Sequence, residues 1–196
     1  MPLLPAGRYR RMPWKNGGGE TFEIAVQPAG ASLEDMDWRL SMAVVASDGP
    51  FSSFPGIDRT LSIVDGAGLL LDTGAESGPV TLTAHTAPLH FAADVPTSAT
   101  LIAGTVTDLN VMTRRASYQH RVRRIAVAGR YEMASTAREL AVFCASGSVM
   151  CEAGDEAAAL QPRDCALFTA APGGLVLAAA QGALVLIAEL FPVRPI

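Results

Sequence analysis

Histidine, cysteine and clustered basic residues are scarce in this sequence, and each scarcity closes off a class of function. Only His85, His90 and His120 occur among 196 residues, and none stands two or four positions from another. A metal centre in a β-rich protein ordinarily draws on two or three histidines and a carboxylate, so no metal is expected. His90, inside the apolar run Leu89-His90-Phe91, reads as a core or edge histidine. The cysteines number three, which is odd. Cys144 and Cys151 flank a turn at Ser146-Gly147, and a two-residue loop there pairs Cys151 with Val142 instead of Cys144. Free, buried thiols and a cytoplasmic protein are therefore expected. Charged residues make up 17% of the chain and the net charge is −4; the densest basic run, Arg121, Arg123 and Arg124, is short and lies in an alternating segment. A nucleic-acid partner is not expected. The N-terminus lacks the apolar stretch of a signal peptide. The longest apolar run, residues 175–190, is broken at Gln181-Gly182 and is too short to span a bilayer, so it reads as a buried hairpin and no membrane partner is expected. No serine or cysteine sits in a G-x-S-x-G elbow. The glycine run Gly17, Gly18, Gly19 lacks the Lys-Ser/Thr that follows in a phosphate loop. Neither a nucleophile nor a cofactor is legible.

What the chain has in abundance is apolar residues, 49% of the total, ample for a core in one large domain or two small ones. Residues 21–26 alternate, with Phe22, Ile24 and Val26 opposite Thr21, Glu23 and Ala25. Residues 37–46 alternate again, Trp38, Leu40, Met42 and Val44 against Arg39, Ser41, Ala43 and Val45. This is strand periodicity. Residues 59–64 and 69–71 are joined by Asp65-Gly66, a hairpin signal. Residues 80–83, 90–91, 100–106 and 109–113 continue as short strands. Residues 134–140 are the one short helical candidate, and a strand over 138–144 competes with it. Strand-sized runs with turn signals every 8–12 residues point to an all-β sandwich or barrel. A shift of 79 residues lays Arg59-Thr-Leu61-Ser-Ile63-Val64 on Arg138-Glu-Leu140-Ala-Val142-Phe143, Gly68 on Gly147 and Val106 on Val185. Two tandem β units are read from it, 1–115 and 116–196, the second largely bare of clustered polar chemistry and structural.

The first unit carries two ornate segments. One is Met12-Pro-Trp14-Lys-Asn16-Gly-Gly-Gly-Glu20-Thr21-Phe-Glu23-Ile24. Three glycines in a row imply positive φ or close backbone approach, and an indole, an amide, a hydroxyl and two carboxylates surround them. The other runs from Ser47 to Ile57. Charged or amide residues on or beside the strands of this unit are Glu20, Glu23, Arg39, Arg59, Asp108, Asn110 and Arg114. A charge in a strand is costly unless it is solvated, paired or holding a ligand. Arg39 stands in a strand otherwise poor in charge, and Arg59 ends an ornate loop. The arginine fork suits a carboxylate, and Glu20 or Glu23 suits a cationic group of the same ligand.

Four motifs in order, Trp14-Lys-Asn16-Gly-Gly-Gly-Glu-Thr21-x-Glu23-Ile24, Asp37-Trp-Arg-Leu-Ser41, Gly49-Pro-Phe-Ser-Ser-Phe-Pro-Gly-Ile-Asp-Arg59 and Asp108-Leu-Asn-Val-Met112, resemble the HutD/Ves family. The resemblance implies a bicupin, two cupin-like barrels of jelly-roll type in one chain. It further implies a link to histidine utilisation, with binding of an intermediate such as formimino-glutamate and restraint of the pathway. The ligand-binding residues expected are Trp14, Asn16, Glu20, Thr21, Glu23, Arg39, Ser41, Arg59, Asn110 and Met112, with Trp14 and Trp38 shielding the ion pairs from water. A small-molecule partner is implied, and a homodimer is compatible with the sequence. A cupin-superfamily enzyme acting on a small amide or amidine, and a structural or interaction module, stay open as alternatives.

Overall fold

The computed structural model describes residues 3–15, 17–169 and 173–193. Among these the only helical element is a three-residue 3-10 turn, Ala6–Arg8; nearly everything else regular is strand. The strands are β1 (Leu3–Leu4), β2 (Arg10–Pro13), β3 (Gly19–Gln27), β4 (Trp38–Val45), β5 (Gly49–Pro50), β6 (Ile57–Asp65), β7 (Leu69–Asp72), β8 (Val80–Leu82), β9 (Leu89–Ala92), β10 (Ser98–Leu101), β11 (Val106–Arg114), β12 (Tyr118–Ser135), β13 (Glu139–Gly147), β14 (Val149–Ala153), β15 (Glu156–Leu160), β16 (Cys165–Thr169) and β17 (Gly173–Pro192). The helical candidate at 134–140 is strand at both ends, with a break between Ser135 and Glu139. Two units emerge: Arg10–Gln119, and residues 120–193 together with residues 3–9. The boundary falls four residues beyond the expected one. The N-terminal strand belongs to the second unit, where β1 pairs with β16 and Tyr9 Oη donates to the carbonyl of Arg163 at 2.6 Å.

The Arg10–Gln119 unit has two antiparallel sheets, β2-β3-β4-β11-β6-β9 and β5-β10-β7-β8. Leucines and valines from both sheets share one cluster: Leu61, Ile63 and Val106 from the larger sheet, Leu69, Leu71 and Leu82 from the smaller. Alternation explains the selection, since Leu69 and Leu71 are buried while Leu70 and Asp72 between and after them are exposed. Asp65-Gly66 is not a hairpin. β6 pairs with β11 and β9, whereas β7 pairs with β10 and β8, so the turn carries the chain from one sheet to the other. Gly66 (φ +95°) is required there, because a Cβ would lie 2.6 Å from the Thr105 carbonyl oxygen.

In the second unit the sheet order is β1-β16-β13-β17-β14-β15, with β12 also on β17. The apolar run expected as a hairpin is one strand, β17. Residues 176–178 pair with β14 and residues 183–190 with β13. Gly182 lies between these stretches at φ +82°. Serving two neighbours in turn requires a bend there, not a reversal. β13 and β14 likewise do not pair with each other, and Cys151 faces Ala158 and Leu177 instead of Val142. Cys144, Cys151 and Cys165 are free and buried; burial pushes the thiols of Cys144 and Cys151 up to about 11 and about 12. The two units repeat one device. The β6–β11 ladder skips Val64 just before its turn glycine Gly66, and the β13–β17 ladder skips Ala145 just before Gly147, where a Cβ would meet the Gly182 carbonyl at 2.4 Å. Matching these bulges sets this strand's offset at 81 residues, not 79; the slip of two keeps every side chain on the same face.

Candidate functional site: a polar cavity in the Arg10–Gln119 unit

Adjacent strands bring alternate residues to one face of the six-stranded sheet. On β11 these are Asp108, Asn110 and Met112. Across from them on β4 stand Ala43, Ser41 and Arg39, and Arg59 on β6 faces Met112 from the other side. β3 adds Thr21 opposite Ala43 and Glu23 opposite Ser41. Beyond Glu23 the alternation fails: the β3–β4 ladder skips Ile24, and Val26 pairs with Arg39 and packs beside Met112. The bulge thus moves Val26 to the face that simple alternation denies it. This polar face, with Trp14, Lys15, Pro50, Phe51, Ser52 and Phe54 from the two ornate segments, lines a cavity of about 420 Å³. That volume suits a small molecule.

The glycine run is explained by packing and turn geometry. Gly17 takes φ +71° and donates its N–H to the Trp14 carbonyl. Gly19 lies so close to its neighbours that a Cβ would stand 2.2 Å from the Val44 carbonyl oxygen and 3.0 Å from the Trp14 ring. The indole is fixed from its other end as well, Nε1 donating to Thr21 Oγ1 at 2.8 Å.

Two guanidiniums stand in the cavity. Arg39 is 7% exposed, and its Nε donates to Glu23 Oε2 at 2.8 Å. Arg59 Nε donates to Asn110 Oδ1 at 2.7 Å, and its guanidinium carbon lies 4.4 Å from the Phe51 ring centroid. Among the described residues, no Nη nitrogen of either arginine makes a hydrogen bond. Burial lowers the Arg59 pKa to about 10; Asp108 opposes the shift and Arg39 adds to it, and the group stays cationic at neutral pH. Asn110 Nδ2 donates in turn to Asp108 Oδ1 at 2.6 Å. Asp108 is 0% exposed and its Oδ2 is buried without a partner. Burial drives its carboxyl up to about 6, against the pull of Arg59, Asn110 and the Ala43 amide.

Of the residues expected from sequence, Trp14, Thr21, Arg39, Ser41, Arg59, Asn110 and Met112 line the cavity. Glu23 stands behind Arg39 as its partner. Glu20 is on the opposite face of β3, pairs with Arg11 and does not line the cavity. Asn16 lies outside the described residues. Trp38 is 2% exposed on the face away from Arg39, so it does not shield the cavity. Arg114 holds the carbonyls of Met36 and Glu34. Asp108, named among the charged strand residues and in the fourth motif but not among the expected ligand-binding residues, is the addition that matters; its signal was its place two residues before Asn110 on a strand. Phe51 and Phe54 carried no signal beyond membership of an ornate loop. Among the described residues no three His, Cys, Asp or Glu side chains gather as a metal site. His90 meets Thr60 Oγ1 through Nδ1 at 3.1 Å.

A sequence model of the HutD family matches residues 6–186. Protein Ves of Citrobacter koseri is 39% identical over 143 residues, 71% of each chain. An uncharacterised 21.2 kDa protein from the 3′ region of hutC in Pseudomonas putida is 35% identical over 167 residues, 84% of this chain and 85% of that one. The solved structure of HutD from Pseudomonas fluorescens SBW25 superposes with a TM-score of 0.83 at 32% identity, covering 99% of both chains. At 8% identity, oxalate decarboxylase from Lactobacillus farciminis shares the fold alone, with a TM-score of 0.69 over 99% of this chain and 86% of that one; the fold is of cupin type. On the family model and these relatives together, the chain belongs to the HutD family.

Proposed function

We propose that this protein binds a carboxylate-bearing intermediate of histidine utilisation, such as formimino-glutamate, in the Arg10–Gln119 cavity, and that the occupied protein restrains the pathway. The observation that carries the reading is the pair of arginines held by Nε, Arg39 on Glu23 and Arg59 on Asn110, with their Nη groups unengaged by described residues. A guanidinium fixed in that way offers its fork to a carboxylate. The hutC neighbourhood of the Pseudomonas putida relative and the HutD name of the solved neighbour support the pathway assignment. The repeated bulge-and-glycine turn supports a bicupin.

Calorimetric titration with formimino-glutamate, glutamate and urocanate tests the site. Arg59→Ala should weaken binding by roughly ten- to a hundredfold, the loss of a charge-assisted pair. Arg59→Lys should recover only part, since a point charge does not reproduce the fork. Unchanged affinity in a folded Arg59→Ala protein would remove the ligand from this cavity. A second reading, turnover of an amide or amidine, is favoured by one observation: Asp108, a buried carboxyl raised to about 6, has the properties of a general acid or base. Release of ammonia or formamide from formimino-glutamate, lost in Asp108→Asn, would establish it.

A further inference from the structure

Carboxylate binding leaves one atom of the cavity unexplained. Asp108 Oδ1 accepts from Asn110, but Oδ2 is buried with no partner. An ionised carboxylate in that position is costly, because Asn110 and the Ala43 amide replace only part of the water it gave up. The buried charges around it are already balanced; Lys15 on the cavity lining and Arg10, 3.8 Å from Glu23, are both exposed. Arg39 is matched by Glu23 at 2.8 Å, and Arg59 is linked through Asn110 to Asp108. A ligand carboxylate arriving between the guanidiniums would be a third anion for two buried cations.

We infer that the cavity binds a carboxylate together with one proton, and that the proton resides on Oδ2 of Asp108. The inference rests on the carboxylate reading above. Protonation removes one of the two resident anions and releases the Arg59 charge to the ligand. No covalent bond changes; the proton comes from solvent. The rise of the Asp108 carboxyl towards neutrality agrees with it. The other charged groups on this face are Arg39 of β4, Arg59 of β6, Glu23 of β3, Arg10 of β2 beside Glu23, and Lys15 before β3. The ordinary ranges of arginine, lysine and glutamate lie outside pH 6.0–7.5. No histidine lines the cavity: His90 pairs with Thr60, on the face of β6 away from Arg59.

The test is calorimetric titration of the full chain with L-glutamate and with formimino-L-glutamate at pH 6.0 and 7.5. At pH 7.5 it is repeated in phosphate and in Tris, whose different ionisation heats report proton uptake. The wild type should bind at least one probe about tenfold more tightly at pH 6.0 and take up close to one proton at pH 7.5. Asp108→Asn should bind with the same affinity at both pH values, within twofold. Binding with a flat wild-type profile and no proton uptake would overturn the coupling while leaving the carboxylate site in place. No binding of either probe at either pH would overturn both. If Asp108→Asn does not fold, the wild-type buffer pair decides alone.

Discussion

A carboxyl group with no solvent contact resists ionisation, and Asp108 makes that resistance measurable. Its pKa is 3.8 when unperturbed and about 6 in the fold. A carboxyl raised by folding favours the native state fully below pH 4, and that contribution is lost as pH rises through 6. The difference amounts to something on the order of 3 kcal/mol. Asp108→Asn keeps the acceptor for Asn110 and removes the titration. Relative to wild type it should gain stability between pH 4.5 and pH 7, read as diverging urea midpoints; parallel curves would place the carboxyl back in the ordinary range. At this scale the sequence was most informative where a polar residue interrupted an apolar strand. Arg39, Asn110 and Arg59 announced themselves by cost. Glu20 and Glu23 looked alike on paper, yet a separation of three along a strand puts them on opposite faces, and only Glu23 reaches a cavity arginine, Arg39.

Elements were legible by type and less so by pairing. Alternation located β3, β4 and β6 within a residue or two and β11 within three, because one side of each strand meets the core. What alternation does not encode is the partner. Asp65-Gly66 and Ser146-Gly147 have turn chemistry, and in both cases the chain turns away to a different neighbour instead of folding back. The bulge at Ile24 was equally silent, since the extra residue is apolar and fits either face. The glycine run can be tested at this scale. Gly19→Ala drives a Cβ into the Val44 carbonyl and should destabilise by roughly 2–3 kcal/mol, the usual range for overpacking. Gly17→Ala has open space and only an unfavourable φ, for about 1–2 kcal/mol. Thermal melts of the two variants should rank in that order; a reversed order would mean that the turn, and not the close approach, dictates the glycines.

At the scale of the molecule, composition and turn spacing indicated an all-β chain, and the weak repeat indicated two units. The repeat was faint because the matched bulges and turn glycines carry different side chains around them. With the bulges matched, Arg59 corresponds to Leu140 and Asp108 to Val185, so polar groups on one side answer to core residues on the other. The assignment of residues 3–9 to the second unit had no sequence signal, for a two-residue strand is too short to show a period. It has a consequence for stability. Tyr9 Oη is held by the carbonyls of Arg163 and Leu4, and burial, with Cys165 and Asp164 adding to it, pushes its phenol far up. Tyr9→Phe removes the donor and leaves carbonyls short of a partner, which should lower stability by about 1 kcal/mol. A denaturation curve followed by far-UV circular dichroism checks it; no change would mean that the N-terminal segment is dispensable to its unit.

The placement of the cavity in one unit also has an optical side. The chain contains two tryptophans, Trp14 and Trp38, and both belong to the Arg10–Gln119 unit. Intrinsic emission excited at the red edge therefore watches this unit and is blind to the other. The two fluorophores are graded as well: Trp38, sealed at 2% exposure, is a steady reference, while Trp14, half-buried at the mouth of the cavity, is the one whose colour a ligand would change. The molecule carries its own lamp, pointed at the unit that holds the cavity.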